Sequence, residues 1–567
     1  MKNVVGNEKS NLQSNFQFSK PCFLFIVGAF CYWCSLPPFG FWFLVFLVPV
    51  FWTFVIEHHK PIRFRAIYFG AFFFWIASIW WIACPHPLTT LGLLALSAYL
   101  SVYWLFFFYV SRIAVWRFKI PVVLAVPVCW IGCEYLRNHI LGGFSFCSLE
   151  HALYRQPLLI QIADIGGGYF VGGMIMLIGS AVGSGIGALR TGRISIQSCI
   201  GYFFAGIIFI ATIGYGFVQT SGFRTNKPNL TIAVLQGNIP VRLNGDSEQI
   251  EKTLKQFIDL AEKTVQNAQA EGKTLDLIVL PETVCPIPLL KYNNDLKPAE
   301  FDWTEEFVEY CNYQFKQLRI FVKQLGVPVL VGLSTLVFEE PPEPKRLNSA
   351  LLIDPKNDQT DFRYDKIQLV MFGEYIPFSK YLPKNFFLKT LCQEAGRGVK
   401  PVAIPLGEER LFLSVNICFE STMPHFVRNQ ILTLKKQGKE PAILINMSND
   451  GWFWFSQQID QHLATHIFRA VENRRPYITA TNGGFSAIID SRGIIRNIGQ
   501  RREAESVVDF VSAIDYETPL YHYIGDIPAI ICMMILFTLF LSECYKNLVA
   551  FRKTTTTTTT ILPPHGN

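Results

Sequence analysis

The sequence predicts a multi-pass α-helical membrane domain of about eight spans joined to a layered α/β domain. Three observations predict it. Half of the 567 residues are hydrophobic and only 16% are charged, against about 25% in a typical soluble domain. Apolar blocks of roughly 17–25 residues, the length that crosses a bilayer, fill the first 220 positions. From 228 to 516 the composition becomes that of a soluble protein, before one last apolar block. Fifty Phe and a mean hydropathy of +0.28 point the same way. A disordered chain, a fibrous repeat and a small disulfide scaffold are excluded. An ordinary cytosolic enzyme is not expected.

The net charge is +7. A nucleic-acid binder would cluster it. Here Lys and Arg are spread out, many at the ends of apolar runs, so no nucleic-acid partner is expected. Ten of the 14 Cys fall in apolar runs, where Cys serves as a small hydrophobe. The other four, Cys285, Cys311, Cys392 and Cys418, have no zinc spacing, so no metal and no cofactor is expected.

The expected spans lie at about 21–35, 39–57, 64–84, 88–111, 120–138, 166–187 and 195–217, with an eighth at 527–545. Residues 1–220 thus form the membrane domain and 228–516 the soluble one. Residues 546–567, with the run Thr554–Thr560, read as a disordered cytoplasmic tail. A cleavable signal peptide is disfavoured, because the apolar stretch runs past Pro37 without a small-residue cleavage site. Lys2, Lys20, Lys60, Arg63, Arg112, Lys119, Arg190, Lys546 and Arg552 gather on one side. The other side has only Arg137 and Arg155 outside the large domain. The positive-inside rule then places both termini in the cytoplasm and the soluble domain outside. Glu134 and Arg137, three apart, share a helix face at membrane depth. They read either as a lipid-headgroup contact or as an ion pair snorkelling at a helix end.

In the soluble part, strand-like runs occur at Leu230–Gln236, Leu275–Pro281, Pro328–Leu333, Ser349–Asp354, Leu411–Cys418, Ala442–Met447, Ile478–Thr481 and Ser486–Asp490. Most are apolar throughout, as strands covered on both faces are. Helices are expected at 247–270, 303–324 and 458–473. In layered α/β folds the reacting groups gather at strand ends. Three strand ends carry chemistry: Glu282 in Leu280-Pro281-Glu282-Thr283, Lys366 in Tyr364-Asp365-Lys366, and Cys418 in Asn416-Ile417-Cys418-Phe419-Glu420. Singly, such a Cys is usually inert, such a Glu a cap and such a Lys solvated. Together they supply acyl transfer. A thiol attacks a carbonyl, a carboxylate takes and returns its proton, and an ammonium holds the oxyanion. No His flanks Cys418; the nearest, His425, lies seven residues on, so a papain-like pair is not signalled.

Glu282, Lys366 and Cys418, in this order and these contexts, resemble the Glu-Lys-Cys triad of the nitrilase superfamily. Gln236-Gly237-Asn238-Ile239-Pro240, Phe372-Gly373-Glu374, Asn449-Asp450-Gly451-Trp452-Phe453 and Thr481-Asn482-Gly483-Gly484 resemble one branch more closely, the bacterial apolipoprotein N-acyltransferases. So do Pro37-Pro38-Phe39-Gly40 and Glu134-Tyr135-Leu136-Arg137. The resemblance implies a nitrilase-like α-β-β-α sandwich on a membrane domain in the cell inner membrane, with the sandwich on the periplasmic side. It implies ping-pong transfer of an acyl chain from a glycerophospholipid, through a cysteine thioester, to the α-amino group of a lipoprotein's diacylglyceryl-cysteine. By motif, Cys418 would be the nucleophile, Glu282 the proton acceptor and donor, and Lys366 the oxyanion holder. Glu374 and Glu420 match supporting positions, and Trp452, Glu134 and Arg137 are the candidate lipid contacts. Phe419, Met371 and Trp454 depart from the family pattern, and Val241-Arg242-Leu243-Asn244-Gly245 lacks a Trp often found there. These departures touch loops beside the triad. Three other readings stand beside this one: a tethered hydrolase on the same triad, a scaffold with a dead domain, and a transporter. Cys285 reads as structural, as a site contact or as half of a disulfide.

Overall fold

A computed structural model describes residues 20–192, 196–221, 229–239, 241, 247–292, 301, 303–339, 343–381, 383, 392, 394–407, 411–453, 456–512 and 518–558. The membrane half holds α1 (Lys20–Ser35), α2 (Leu47–Ile56), α3 (Phe64–Ile79), α4 (Thr89–Trp116), α5 (Val122–His139), α6 (Gly168–Thr191) and α7 (Ile196–Ser221). The soluble half adds α8 (Ser247–Ala270), α9 (Glu305–Leu325), α10 (Pro424–Lys436) and α11 (Gln458–Asn473), and α12 (Ile527–Thr558) closes the chain. The expected spans fall on α1 to α7 and α12. Among the described residues five helical stretches are long and apolar enough to cross a membrane: Phe64–Ala83, Thr89–Trp116, Gly168–Thr191, Ser198–Ser221 and Ile527–Arg552. Lys20–Ser35 and Trp42–Ile56 are shorter, and α5 carries Pro127, Glu134 and Arg137. Gly132 lets α12 lie against α5, since a Cβ there would sit 3.0 Å from the Cys532 carbonyl. The expected disordered tail is corrected over 546–558: α12 continues helical to Thr558, and 559–567 lie outside the described residues.

The soluble half is two sheets face to face. One has the order β13-β1-β2-β4-β5-β6, with β3 also paired to β4. Its strands are β1 (Asn229–Gln236), β2 (Leu277–Val279), β3 (Cys285–Tyr292), β4 (Val329–Phe338), β5 (Lys345–Asp354), β6 (Asn357–Asp365) and β13 (Glu505–Ser512). The other has the order β12-β11-β10-β9-β8-β7. It comprises β7 (Ala403–Leu406), β8 (Leu411–Ile417), β9 (Ile443–Asn449), β10 (Tyr477–Asn482), β11 (Ala487–Ile489) and β12 (Ile495–Ile498). Strand side chains alternate between faces. Ile232, Val234, Val415, Ile417, Ile445 and Met447 fill the space between the sheets. Ala233 and Leu235 face outward onto Phe257 of α8 and Val322 of α9. Leu444 faces the other way, onto Leu463 and Ile467 of α11. Each fully buried Val, Ile or Leu contributes roughly 1.5–3 kcal/mol. That double covering is why the strands read as apolar runs rather than alternating ones.

Helix α11 joins the halves. Every residue of Gln458–Asn473 is buried, polar ones included. Its polar face meets the membrane domain, and hydrogen bonds make that burial tolerable. Gln457 and Gln461 donate to the Ser78 carbonyl at 2.7 and 2.9 Å, and Trp81 donates to Gln461 at 3.0 Å. Glu472 accepts from the first amide of α6, Gly168, at 3.0 Å.

Candidate active site

Three strand ends converge. Glu282 follows β2, Lys366 follows β6 and Cys418 follows β8. Lys366 is 1% exposed, and its Nζ lies 2.7 Å from Glu374 Oε1 and 3.4 Å from Glu282 Oε1. Burial alone would lower the Lys366 pKa, but Glu374 and Glu282 outweigh it and hold the ammonium well above its ordinary value. Asn348 donates to Glu282 Oε1 at 2.7 Å, and the Asn449 amide at the end of β9 donates to Oε2 at 2.9 Å. Glu282 is thereby aimed by β5 of its own sheet and β9 of the facing one. Gly332 on β4 makes room for its loop, because a Cβ there would lie 2.3 Å from the Pro281 carbonyl oxygen.

Cys418 adopts a left-handed backbone, φ +54°, and opens a 3-10 turn over Cys418–Thr422. Glu420 is the turn's anchor. It accepts from the Ile417 amide at 2.8 Å, from the Ile367 and Gln368 amides at 2.7 and 2.9 Å, and from the Tyr364 hydroxyl. One buried carboxylate therefore ties the Cys418 turn to the loop after Lys366. Burial pushes Glu420 up to about 7, against the pull of the amides. Glu374 Oε2 accepts from the Val370 amide at 2.8 Å, fixing the same loop from its far end.

Burial, then the Glu282 carboxylate, push the Cys418 thiol well above the ordinary cysteine range, against a smaller pull from Lys366. The resting group is a thiol that needs a base at the moment of attack. Iodoacetamide alkylation of Cys418 is accordingly expected to rise with pH at a midpoint above the ordinary value of about 8.5. Glu282→Gln removes the largest charge raising it, so its midpoint falls. A wild-type midpoint at or below the ordinary value contradicts this electrostatic account.

The five expected residues Glu282, Lys366, Cys418, Glu374 and Glu420 thus come together. Trp452 is half-buried in the 3-10 turn Asp450–Phe453 that follows Asn449. Trp454 lies outside the described residues. Glu134 and Arg137 do not join the site, and the snorkelling alternative fails too. Arg137 is 1% exposed and bonds both carboxylate oxygens of Glu134, at 3.1 and 2.5 Å. It also donates to the Phe144 and Phe146 carbonyls and to Ser148 Oγ. A guanidinium so enclosed has no face left for a headgroup. It shapes the loop whose Ser145 hydroxyl reaches the Thr422 carbonyl at the end of the nucleophile turn. Cys285 is a free, buried thiol pushed up to about 11 by burial. The disulfide and site-contact readings of Cys285 both give way to the structural one.

Sequence reasoning missed Asn348, Tyr364 and Asn446 as partners of the site. Asn446 lies in the strand-like run Ala442–Met447 and Tyr364 just before Lys366, and nothing local marks a hydrogen-bonding role at either. Among the described residues one cluster has metal-ligand types within reach of one another, His139, His425 and Asp526, with ligand atoms within 4.8 Å. The two imidazoles stack at 4.3 Å and 27°. Stacked rings do not converge their lone pairs on one ion at about 2 Å, so the cluster reads as packing between the end of α5, α10 and Asp526, which precedes α12.

Comparison with known proteins gives two matches to family models. Residues 28–181 match the apolipoprotein N-acyltransferase N-terminal domain, and residues 231–511 match the carbon-nitrogen hydrolase family. An apolipoprotein N-acyltransferase of Geobacter metallireducens is 30% identical over 418 residues, 73% of each chain. Another, of Rhodopirellula baltica, is 27% identical over 538 residues, 88% of this chain and 92% of that one. Among solved structures, an amidase from Nesterenkonia sp. aligns with 16% identity and a TM-score of 0.34, covering 52% of this chain and 95% of its own.

Proposed function

The chain belongs to the apolipoprotein N-acyltransferase family, and on that premise we propose that it transfers an acyl chain from a membrane glycerophospholipid, through a thioester on Cys418, to the terminal amino group of a lipoprotein's diacylglyceryl-cysteine. The observation that carries the chemistry is the buried Lys366 ammonium between Glu282 and Glu374, within electrostatic reach of Cys418. In the first half-reaction Glu282 takes the thiol proton as sulfur attacks the ester carbonyl. The Lys366 ammonium faces the oxygen that becomes negative. The ester C–O bond breaks, the proton passes from Glu282 to the departing glycerol oxygen, and a lysophospholipid leaves. In the second, the acceptor amine attacks the thioester carbonyl, the C–S bond breaks, the amine's proton passes through Glu282 to sulfur, and an amide and the free Cys418 thiol form.

The family and the apolar helices make this a membrane protein. We place it in the inner membrane with the sandwich on the periplasmic side, on the Lys and Arg distribution. Both substrates are lipids, and the loop after Lys366 suits them. Phe378 and Tyr381 on it are 79% and 86% exposed, and Phe372 is exposed too. Aromatics of this kind settle at membrane interfaces.

The test supplies phospholipid with either water alone or a synthetic diacylglyceryl peptide bearing a free α-amine. The expected product is the peptide heavier by one acyl group, with one lysophospholipid formed per transfer. Free fatty acid released at a rate the peptide does not change would instead establish the hydrolase.

A further inference from the structure

Behind the nucleophile's turn lies a chain of buried polar side chains that acyl transfer, as laid out above, does not use. Ser421, three residues after Cys418, has its Oγ 3.0 Å from the Cys418 carbonyl oxygen. The same Oγ is 3.0 Å from His462 Nε2 and 3.1 Å from His466 Nε2. His462 Nδ1 in turn faces both oxygens of Asp450, at 3.2 and 3.3 Å. Ser421, His462, His466 and Asp450 are all buried.

A proton count orients this chain. The Cys418 carbonyl can only accept, so the one proton of Ser421 goes to it. Both Nε2 atoms face the remaining positions of that oxygen, with the Tyr477 hydroxyl beside them. Burial, with His462 and Arg469 nearby, keeps His466 neutral. Its second nitrogen has no hydrogen-bond partner, as a lone pair facing apolar surroundings would have none. Asp450 Oδ1 also receives Ser448 at 2.7 Å and Gln458 at 3.2 Å. His462 thus stands between that carboxylate, at Nδ1, and Ser421, at Nε2. The order Asp450–His462–Ser421 has the form of a hydrolase triad, but Ser421 is sealed from any substrate and its proton is spent on the Cys418 carbonyl.

We infer that Ser421, held by His462 and Asp450, is a positioning residue for acyl transfer: it clamps the Cys418 carbonyl and so keeps the nucleophile in its left-handed backbone conformation. L-residues avoid that conformation unless their surroundings impose it. A further side-chain hydrogen bond to this carbonyl comes from Asn446 at 3.1 Å. Asp450 also directly follows Asn449, whose amide holds Glu282. One chain of side chains thus braces the nucleophile and lies next to the backbone that aims its base.

This inference rests on Cys418 being the nucleophile, and the experiment separates the two. Full-length enzyme in detergent is mixed with dioleoyl phosphatidylethanolamine, and the hydroxylamine-labile adduct is followed in single turnover across lipid concentrations. Ser421→Ala is expected to slow adduct formation roughly 10- to 100-fold, as displacements of about 1 Å do, with half-saturation by lipid unchanged. His462→Gln keeps a donor at the Nε2 position towards Ser421 and retains most of the rate. His462→Asn keeps the partner of Asp450 but releases Ser421, and slows like Ser421→Ala. A purely structural role, filling space beside Asp450, predicts the opposite order for Gln and Asn. Wild-type rates in Ser421→Ala, or Asn outperforming Gln, overturn the clamp. No adduct in wild type overturns the nucleophile assignment and the clamp with it.

Discussion

Replacing Cys418 by alanine is expected to lower acyl transfer by roughly 10^4- to 10^6-fold in turnover, the loss seen when a covalent nucleophile is removed, while leaving the protein folded. The side chain is half-buried at the mouth of the turn, and the hydrogen bonds that shape that turn run through backbone and Glu420 rather than through sulfur. Its deletion therefore leaves no buried polar group unpaired. The matched control is Cys285→Ala. That thiol opens β3, buried in the core with its Sγ 3.8 Å from the Ile287 carbonyl oxygen. It costs stability as any small core deletion does, and turnover stays at the wild-type level. If Cys418→Ala keeps even a tenth of the activity, transfer does not pass through this sulfur.

Lys366→Met carries the second large effect, and it falls on stability as well as on rate. In the wild type one ammonium faces two carboxylates in a nearly closed space. Methionine fills a similar volume and leaves Glu282 and Glu374 facing each other without a cation. Removing one partner of a buried ion pair costs about 3–5 kcal/mol, read as a lower thermal midpoint. Turnover falls by about 10^2–10^3-fold or more, because the oxyanion loses its charged partner. Adding Glu374→Gln to Lys366→Met removes the repulsion. Stability is expected to recover substantially while turnover stays lost. A double variant that regains activity would show that Lys366 serves only to neutralise Glu374.

What could be read from the chain and what could not divide along physical lines. Runs such as Ile443–Met447 are apolar on both faces because both faces are covered, and a single run of letters carries that information. Glu282 and Cys418 were legible because they sit at the ends of such runs. β6 was not visible as a run, since Asn357–Asp365 is mostly polar and lies at the sheet edge. β3 was hidden by Pro286 and Pro288, which are tolerated where the strand pairs on one side only. For α11 the amphipathic period was visible, but the covering of its polar face was not. That covering comes from Ser78 and Gly168, far away in sequence. The same limit misplaced Glu134 and Arg137. Helical spacing put them on one face, and only the loop at 144–148 determines that the face is closed. The clamp on Cys418 joins residues 418, 421, 450 and 462 through three separate elements, and no local pattern announces it.

The most direct measurement is the intact mass of the detergent-purified protein after exposure to a defined phospholipid, with and without neutral hydroxylamine, beside Cys418→Ser. The account predicts one added acyl mass on the wild type, removed by hydroxylamine, with no hydroxylamine-labile mass on the serine variant. An unmodified wild type, or a labile adduct that persists in Cys418→Ser, would contradict the thioester on which the proposed function depends.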